Sequence, residues 1–164
     1  MSDRSPDPAR IVRTHAAFIE SDVVIALSTR DPTLRSRLAM GRGCRASAAR
    51  PRVSILIGRA QSAPFMDALV QTREIAVVFG RPNDHRAIQL KGRDATLAAP
   101  ARGDAKLAAR YRERLAEHFV PLGFPREHTY TYLGPADEPL VVVTFTPTAV
   151  YDQTPGPHAG AVLD

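Results

Sequence analysis

The sequence predicts an α+β domain that is mainly β: an antiparallel sheet or barrel with helices packed outside it. Three observations lead there. After one short helix the elements run strand, strand, strand, helix, strand, strand, helix, strand, which is not the strict alternation of a doubly wound parallel sheet. The sequential strands are joined by short turns, as in antiparallel sheets and barrels. The chain has 164 residues, about one domain on a prior of roughly 150 residues per domain.

Residues 1–8 carry two prolines among polar and charged residues and read as a disordered tail. Residues 9–164 are then one domain. Ala9 to Glu20 shows a helical stripe of Ile11, His15 and Ile19 with Val12 and Ala16 beside it. Val23 to Thr29 is an apolar, β-branched run, the first strand, and Asp31-Pro32-Thr33 signals a turn. Arg37 to Ala46 is the second strand, although it holds Gly41 and Gly43 and no β-branched residue; glycine in a strand marks a bulge or a close backbone approach. Val53 to Ile57 is the third strand. A helix follows from Ala63 to Thr72, with Ser62 placed to cap it and Pro64 in its first turn.

Glu74 to Phe79 is the fourth strand. Arg86 to Leu97 reads as one long fifth strand, with Ile88, Leu90 and Gly92 on one face and Gln89, Lys91 and Arg93 on the other. Ala101 to Phe119 is the clearest helix, with Leu107, Tyr111 and Leu115 on one stripe and Glu113 and Glu117 spaced to meet its own arginines. Residues 120–134 read as irregular and aromatic. Pro139 to Tyr151, rich in Val and Thr, is the sixth and last strand, and the tail from Asp152 neither continues it nor starts a helix.

Composition narrows the function. The longest apolar runs are five residues, Val23–Leu27 and Ile75–Phe79, against the roughly 20 that a membrane-spanning helix needs. The N-terminus has no apolar stretch behind its arginine, so no secretory signal is expected. The lone cysteine, Cys44, leaves no internal disulfide and fits a reducing cytoplasm. The net charge of +5 points to anionic partners, and all but Lys91 and Lys106 of the 22 basic residues are arginine, whose planar fork suits phosphate and carboxylate. The arginines are spread along the chain, aromatics are only 6%, and no strand interleaves aromatics as stacking platforms, so nucleic-acid binding is not expected. A cysteine zinc site, an HExxH pair, a Gly-x-Ser-x-Gly elbow and a GxxxxGK phosphate loop are all missing. Gly41-Arg-Gly-Cys-Arg-Ala46 matches a dinucleotide fingerprint on paper, but a turn follows it where that fingerprint requires a helix.

What remains is a set of cationic and polar groups on successive strands. Arg37 and Arg42 lie five apart on the second strand, so they point to opposite faces unless a bulge intervenes. Arg59, Gln61 and Ser62 lie between the third strand and a helix N-terminus, where free N–H groups and the positive end of the helix dipole suit an anion. Gln89 and Lys91 share one face of the fifth strand; Gln89 both donates and accepts, which suits the edge of a heterocycle, and Lys91 places positive charge beside it.

In Arg37-Leu-Ala-Met-Gly-Arg-Gly43, Ile57-Gly-Arg-Ala-Gln-Ser-Ala63 and Arg86-Ala-Ile-Gln-Leu-Lys-Gly92, and in its order of elements over residues 10–155, the chain resembles the FMN-binding split β-barrel family, the pyridoxamine 5′-phosphate oxidase-like proteins. The resemblance implies a six-stranded antiparallel split barrel that forms a homodimer with FMN at the interface. It implies that Arg37, Arg42 and Ser62 hold the phosphate, that Arg59 or Gln61 stands in for further basic ligands, and that Gln89 and Lys91 run beside the isoalloxazine. Residues of the partner chain complete such sites, and Tyr151 and Gln153 are the candidates here. The chain departs from the oxidase proper: Ser62-Ala63-Pro64 stands where that enzyme has Ser-Arg-Lys, and its C-terminal Arg-x-His is missing. The expected function is therefore an FMN-binding oxidoreductase with an unknown small substrate, not oxidation of vitamin B6. The alternatives are a haem-binding or haem-handling barrel, with His15, His118 or His158 as axial ligand, and a flavin-binding sensor without turnover.

Overall fold

The computed structural model describes residues 6–163. Residues 1–5 of the expected tail lie outside the described residues. Asp7 is already part of the first helix, its carboxylate accepting the Ala9 N–H at 3.0 Å, and Pro8 is the first helical residue. The elements are α1 (Pro8–Ile19), β1 (Val24–Arg30), β2 (Ser36–Ser47), β3 (Arg52–Gly58), α2 (Ala63–Thr72), β4 (Ile75–Gly80), β5 (Ala87–Gly92), β6 (Thr96–Ala98), α3 (Asp104–Phe119), a single 3-10 turn (Val120–Leu122), α4 (Arg126–Leu133), β7 (Leu140–Phe145) and β8 (Ala149–Asp152).

All ladders are antiparallel, and the strand order is β6-β7-β3-β2-β1-β4-β5-β8. The expectation of an antiparallel α+β fold holds; the count of six strands is corrected to eight. Each of the two long runs read as single strands breaks at a corner. The run 87–98 breaks at residues 93–95, and its halves lie near opposite ends of the strand order, β5 against β8 and β6 against β7. The run 140–152 breaks at Pro147, which has no N–H to give a ladder. The two corners are pinned to each other: Asp94 accepts from the Thr146 N–H at 2.8 Å and from its hydroxyl at 2.7 Å. A side chain at Gly92 would stand 2.6 Å from Phe145 Cδ2, so the corner closes only on glycine. The sheet thereby rolls up through its covalent corners, while its end strands β6 and β8 make no ladder with each other.

The third corner is in β2, which pairs with β1 along its first half and with β3 along its second, with a register shift between Gly41 and Cys44. This is the bulge that the glycines signalled. The close approach at Gly41 comes from within the fold, since a Cβ there would lie 2.6 Å from Ile25 Cβ. Alternating residues of the strands fill the interior, with Ile25, Leu27, Ile55, Val77, Phe79, Leu90 and Val150 fully buried. α1 packs on β2, β3 and β8, and α2 packs on β1, β2 and β6, closing the core with Ile11, Val12, Phe18, Phe65 and Leu69. Cys44 is buried on β2, and burial pushes its thiol well above the usual range, so it is an inert packing residue.

Two helical boundaries also differ from expectation. α3 begins at Asp104, whose carboxylate takes the Ala101 N–H at 2.7 Å and an Arg45 N–H at 2.9 Å. The segment expected to be irregular holds α4. Its propensity is modest, but Arg112 of α3 donates to the carbonyls of Gly134 at 2.6 Å and Tyr130 at 3.3 Å, satisfying the helix end. Glu113 and Glu117 meet Arg126 of α4, at 3.7 and 3.6 Å, not arginines of their own helix.

Candidate functional site

The cationic and polar residues singled out from the sequence fall into three separate places. The first is the β3–α2 turn, where an anion was expected. An anion is there, and it belongs to the chain. Glu138 accepts the N–H groups of Ala60 at 2.7 Å and Gln61 at 3.0 Å through Oε1, while its Oε2 pairs with the Arg42 guanidinium. Arg42 donates further to Pro135 O at 2.9 Å and to Gln61 Oε1 at 3.0 Å. The Arg42 and Glu138 side chains are 6% and 5% exposed, so neither is offered to a ligand. Burial alone would raise the Glu138 carboxyl; the Gln61 N–H, the Arg42 charge and the Ala60 N–H outweigh it and hold the group below the usual carboxylate range. Ser62 is buried and its hydroxyl makes no capping bond, while Arg59 is exposed. Sequence reasoning missed Glu138 because nothing local marks it: it stands 96 residues from Arg42.

The second place holds Arg37 alone. The β2 bulge does not bring it to Arg42. Arg37 lies opposite Thr29 in the β1–β2 ladder, 3.6 Å from Asp31, in a shallow cleft of about 340 Å³ that Asp67 also lines. One guanidinium facing two carboxylates does not favour a phosphate. The residues at these two places therefore do not fit the phosphate group of FMN in the way the resemblance implies.

The third place is an open sheet face. Ladder partners point to the same side of a sheet, so the register defines rows across it. Met40, Ala26, Val78, Gln89 and Tyr151 form one row over five strands. Leu38, Ser28, Ala76, Lys91 and Ala149 form the next. The Lys91 ammonium stands 4.9 Å from the centre of the Tyr151 ring. Gln153 follows on, its N–H bonded to Ala87 O at 2.8 Å. Tyr151 and Gln153, considered as contributions from a partner chain, thus stand beside Gln89 and Lys91 of their own chain. At the other edge of the row, α4 leans in through the Tyr132 hydroxyl, 3.4 Å from Met40 Sδ. The face is smooth because its central residues are alanine, valine and serine, and it carries Leu38, 69% exposed. A planar heterocycle fits against such a surface, with Gln89 and Lys91 to address its polar edge.

A roomier concavity, about 700 Å³, lies elsewhere, between α3 and residues 133–140. Its walls are Ala105, Ala108, Ala109 and Leu133, and at its base are Arg42 and Glu138, already satisfied by each other. Among the histidines weighed as haem ligands, His15 is buried in the core, His118 lies 3.3 Å from Asp22, and His158 is exposed in the C-terminal turns. No helix among the described residues is long and apolar enough to cross a membrane.

No protein-family model and no curated protein matches the chain. Solved structures do. HupZ of Group A Streptococcus superposes with a TM-score of 0.52 at 11% identity, over 90% of this chain and 98% of that one. An F420 reductase gives a TM-score of 0.50 at 13% identity, over 82% of this chain and 93% of that one. The chain shares its fold with these two structures. A pyridoxamine 5′-phosphate oxidase-related, FMN-binding protein of Nostoc punctiforme is also among the similar structures, with a TM-score of 0.48 at 17% identity over 89% of this chain and 83% of that one. In this fold the open face is the outer surface of β1, β2, β4, β5 and β8, and the filled anion hole lies at the β3–α2 turn.

Proposed function

We propose that this split barrel binds a flavin-type cofactor, FMN in the first instance, with its ring against the outer sheet face, and works as an oxidoreductase on a small molecule. The observation that carries the reading is the alignment of Gln89 and Tyr151 as direct ladder partners with Lys91 over the tyrosine ring, on an otherwise smooth face. Gln89 would meet the donor and acceptor edge of the ring, Tyr151 would flank it, and Lys91 would favour negative charge on it. A bound flavin would supply the electron chemistry, and the protein would position and tune it. The likeness to an F420 reductase makes F420 the second ligand to test.

The same face supports a homodimer. Alanines and valines run across it, and Leu38, at 69% exposure, is a large apolar residue left uncovered in a single chain. Leu38→Asp is expected to turn a dimer into a folded monomer in sedimentation; a wild-type monomer that still binds FMN tightly would remove the interface.

The test of the cofactor is the visible spectrum of the purified protein before and after addition of FMN, then of F420. Flavin bands that co-purify, or shift and quench on titration, support the reading. Bands that no reductant and substrate turn over would leave a sensor. A Soret band would move the chain to haem handling, with His158 the first ligand to replace. A colourless protein that ignores both cofactors sinks the proposal.

A further inference from the structure

Beyond Lys91 the outer face drops into a groove of about 400 Å³. Three cations line it, Arg30, Lys91 and Arg93, against a single carboxylate, Glu74. Glu74 is already bonded to Arg30 at 2.8 Å, which leaves Lys91 and Arg93 as the surplus positive charge. Between them stand the hydroxyls of Ser28, Ser36 and Thr148. Thr148 is fixed by two bonds to the carbonyl of Lys91, from its N–H at 2.8 Å and its hydroxyl at 3.2 Å, so one wall of the groove is anchored to the strand that carries the cations. Lys91 is two residues from Gln89, about 7 Å along an extended strand, and Arg93 lies just past the end of β5.

We infer that this groove, and not the β3–α2 turn, binds a phosphate monoester, the anionic end of the ligand whose ring lies against Gln89 and Tyr151. The inference rests on that ring placement for its choice of ligand. It rests on charge for its location. At the turn a carboxylate of the chain already fills the N–H groups and the guanidinium, whereas the groove holds excess cations beside the Ser36 hydroxyl. Arg93 and Lys91 supply the charge; Ser36 supplies a neutral hydrogen bond, the Ser28 and Thr148 hydroxyls already donating to the carbonyls of Ala76 and Lys91.

Two titrations test it on the full-length protein at low ionic strength. In the first, inorganic phosphate is added while backbone amide shifts are followed by NMR. Saturable shifts at Ser28, Lys91, Arg93 and Thr148, abolished by Arg93→Ala, are expected. Shifts confined to Ala60 and Gln61, or none, would overturn the groove. In the second, FMN and riboflavin are compared by flavin fluorescence. FMN is expected to bind at least tenfold tighter, with Arg93→Ala closing most of that gap and leaving riboflavin unchanged. Equal affinities in the wild type would overturn the groove and leave the ring placement standing. Phosphate shifts in the groove with no binding of either flavin would overturn the ring placement and leave the groove standing. Arg93 is exposed, so its replacement is compatible with folding.

Discussion

The β3–α2 turn and the groove beyond Lys91 are both built from arginines and polar groups on adjacent strands, and they are opposites. At the turn the chain supplies its own counterion: Glu138 meets Arg42 and two backbone N–H groups, and both charged side chains are buried. In the groove only Arg30 is matched by a carboxylate, and Lys91 and Arg93 stand at the surface. A cation becomes available to a ligand when the fold withholds its partner, so counting arginines along a chain says little about where an anion binds. Buried and matched charges specify structure; exposed and unmatched ones are left for recognition.

The largest effect that separates the two regions is on stability. Glu138→Gln keeps an acceptor for the backbone but strands the Arg42 guanidinium in the interior. A loss of about 3–5 kcal/mol is expected from removing one partner of a buried pair, read by chemical denaturation. Arg42→Met combined with Glu138→Leu is expected to cost less than the sum of the two single changes, because the pair acts as a unit. Additive losses would show that the pair is not coupled.

Acid should act on the same region. The Glu138 carboxyl is held below its ordinary value, so its contribution is present above the unfolded carboxylate range and is lost as the pH falls through the folded value. His15 adds to this. Burial first, and the Arg86 charge second, lower it from the usual 6.5, so the folded state resists a proton that the unfolded chain accepts. Its contribution is likewise present above the unfolded value and declines as the pH drops below about 6.5. Denaturation midpoints measured from pH 7 to 3 should fall steadily, and less steeply in Glu138→Gln; an unchanged slope in that variant would remove Glu138 from the account.

The smallest effect belongs to the groove. Lys91→Met forfeits a surface cation–π contact with Tyr151, worth about 0.5–1 kcal/mol, so its stability should stay close to wild type. A loss as large as that of Glu138→Gln would mean that Lys91 holds the fold together.

Much of the fold was legible because it rests on local patterns. The stripe of α1, the proline in the first turn of α2, the apolar runs of β1 and β4, the alternation of β5 and the glycine-marked bulge in β2 are all short-range signals. The broken strands show the limit. Pro147 was a visible breaker inside a convincing β run, while the Arg93–Ala95 corner depends on Phe145 and Thr146, about fifty residues away. α4 was missed because its last carbonyls are satisfied by Arg112 of another helix.

The candidate site divides in the same way. Alternation alone puts Gln89, Lys91 and Arg93 on one side of a strand, and the ladder places Tyr151 next to them. By itself the sequence determined the antiparallel α+β class, most of the elements and the polar face of β5, since each depends on residues within a few positions of one another. Only the tertiary structure decided that Arg42 is closed to ligands and that the groove beyond Lys91 is open. Whether a charge is neutralised depends on which distant side chain the fold delivers within hydrogen-bonding distance, and no local pattern encodes that encounter.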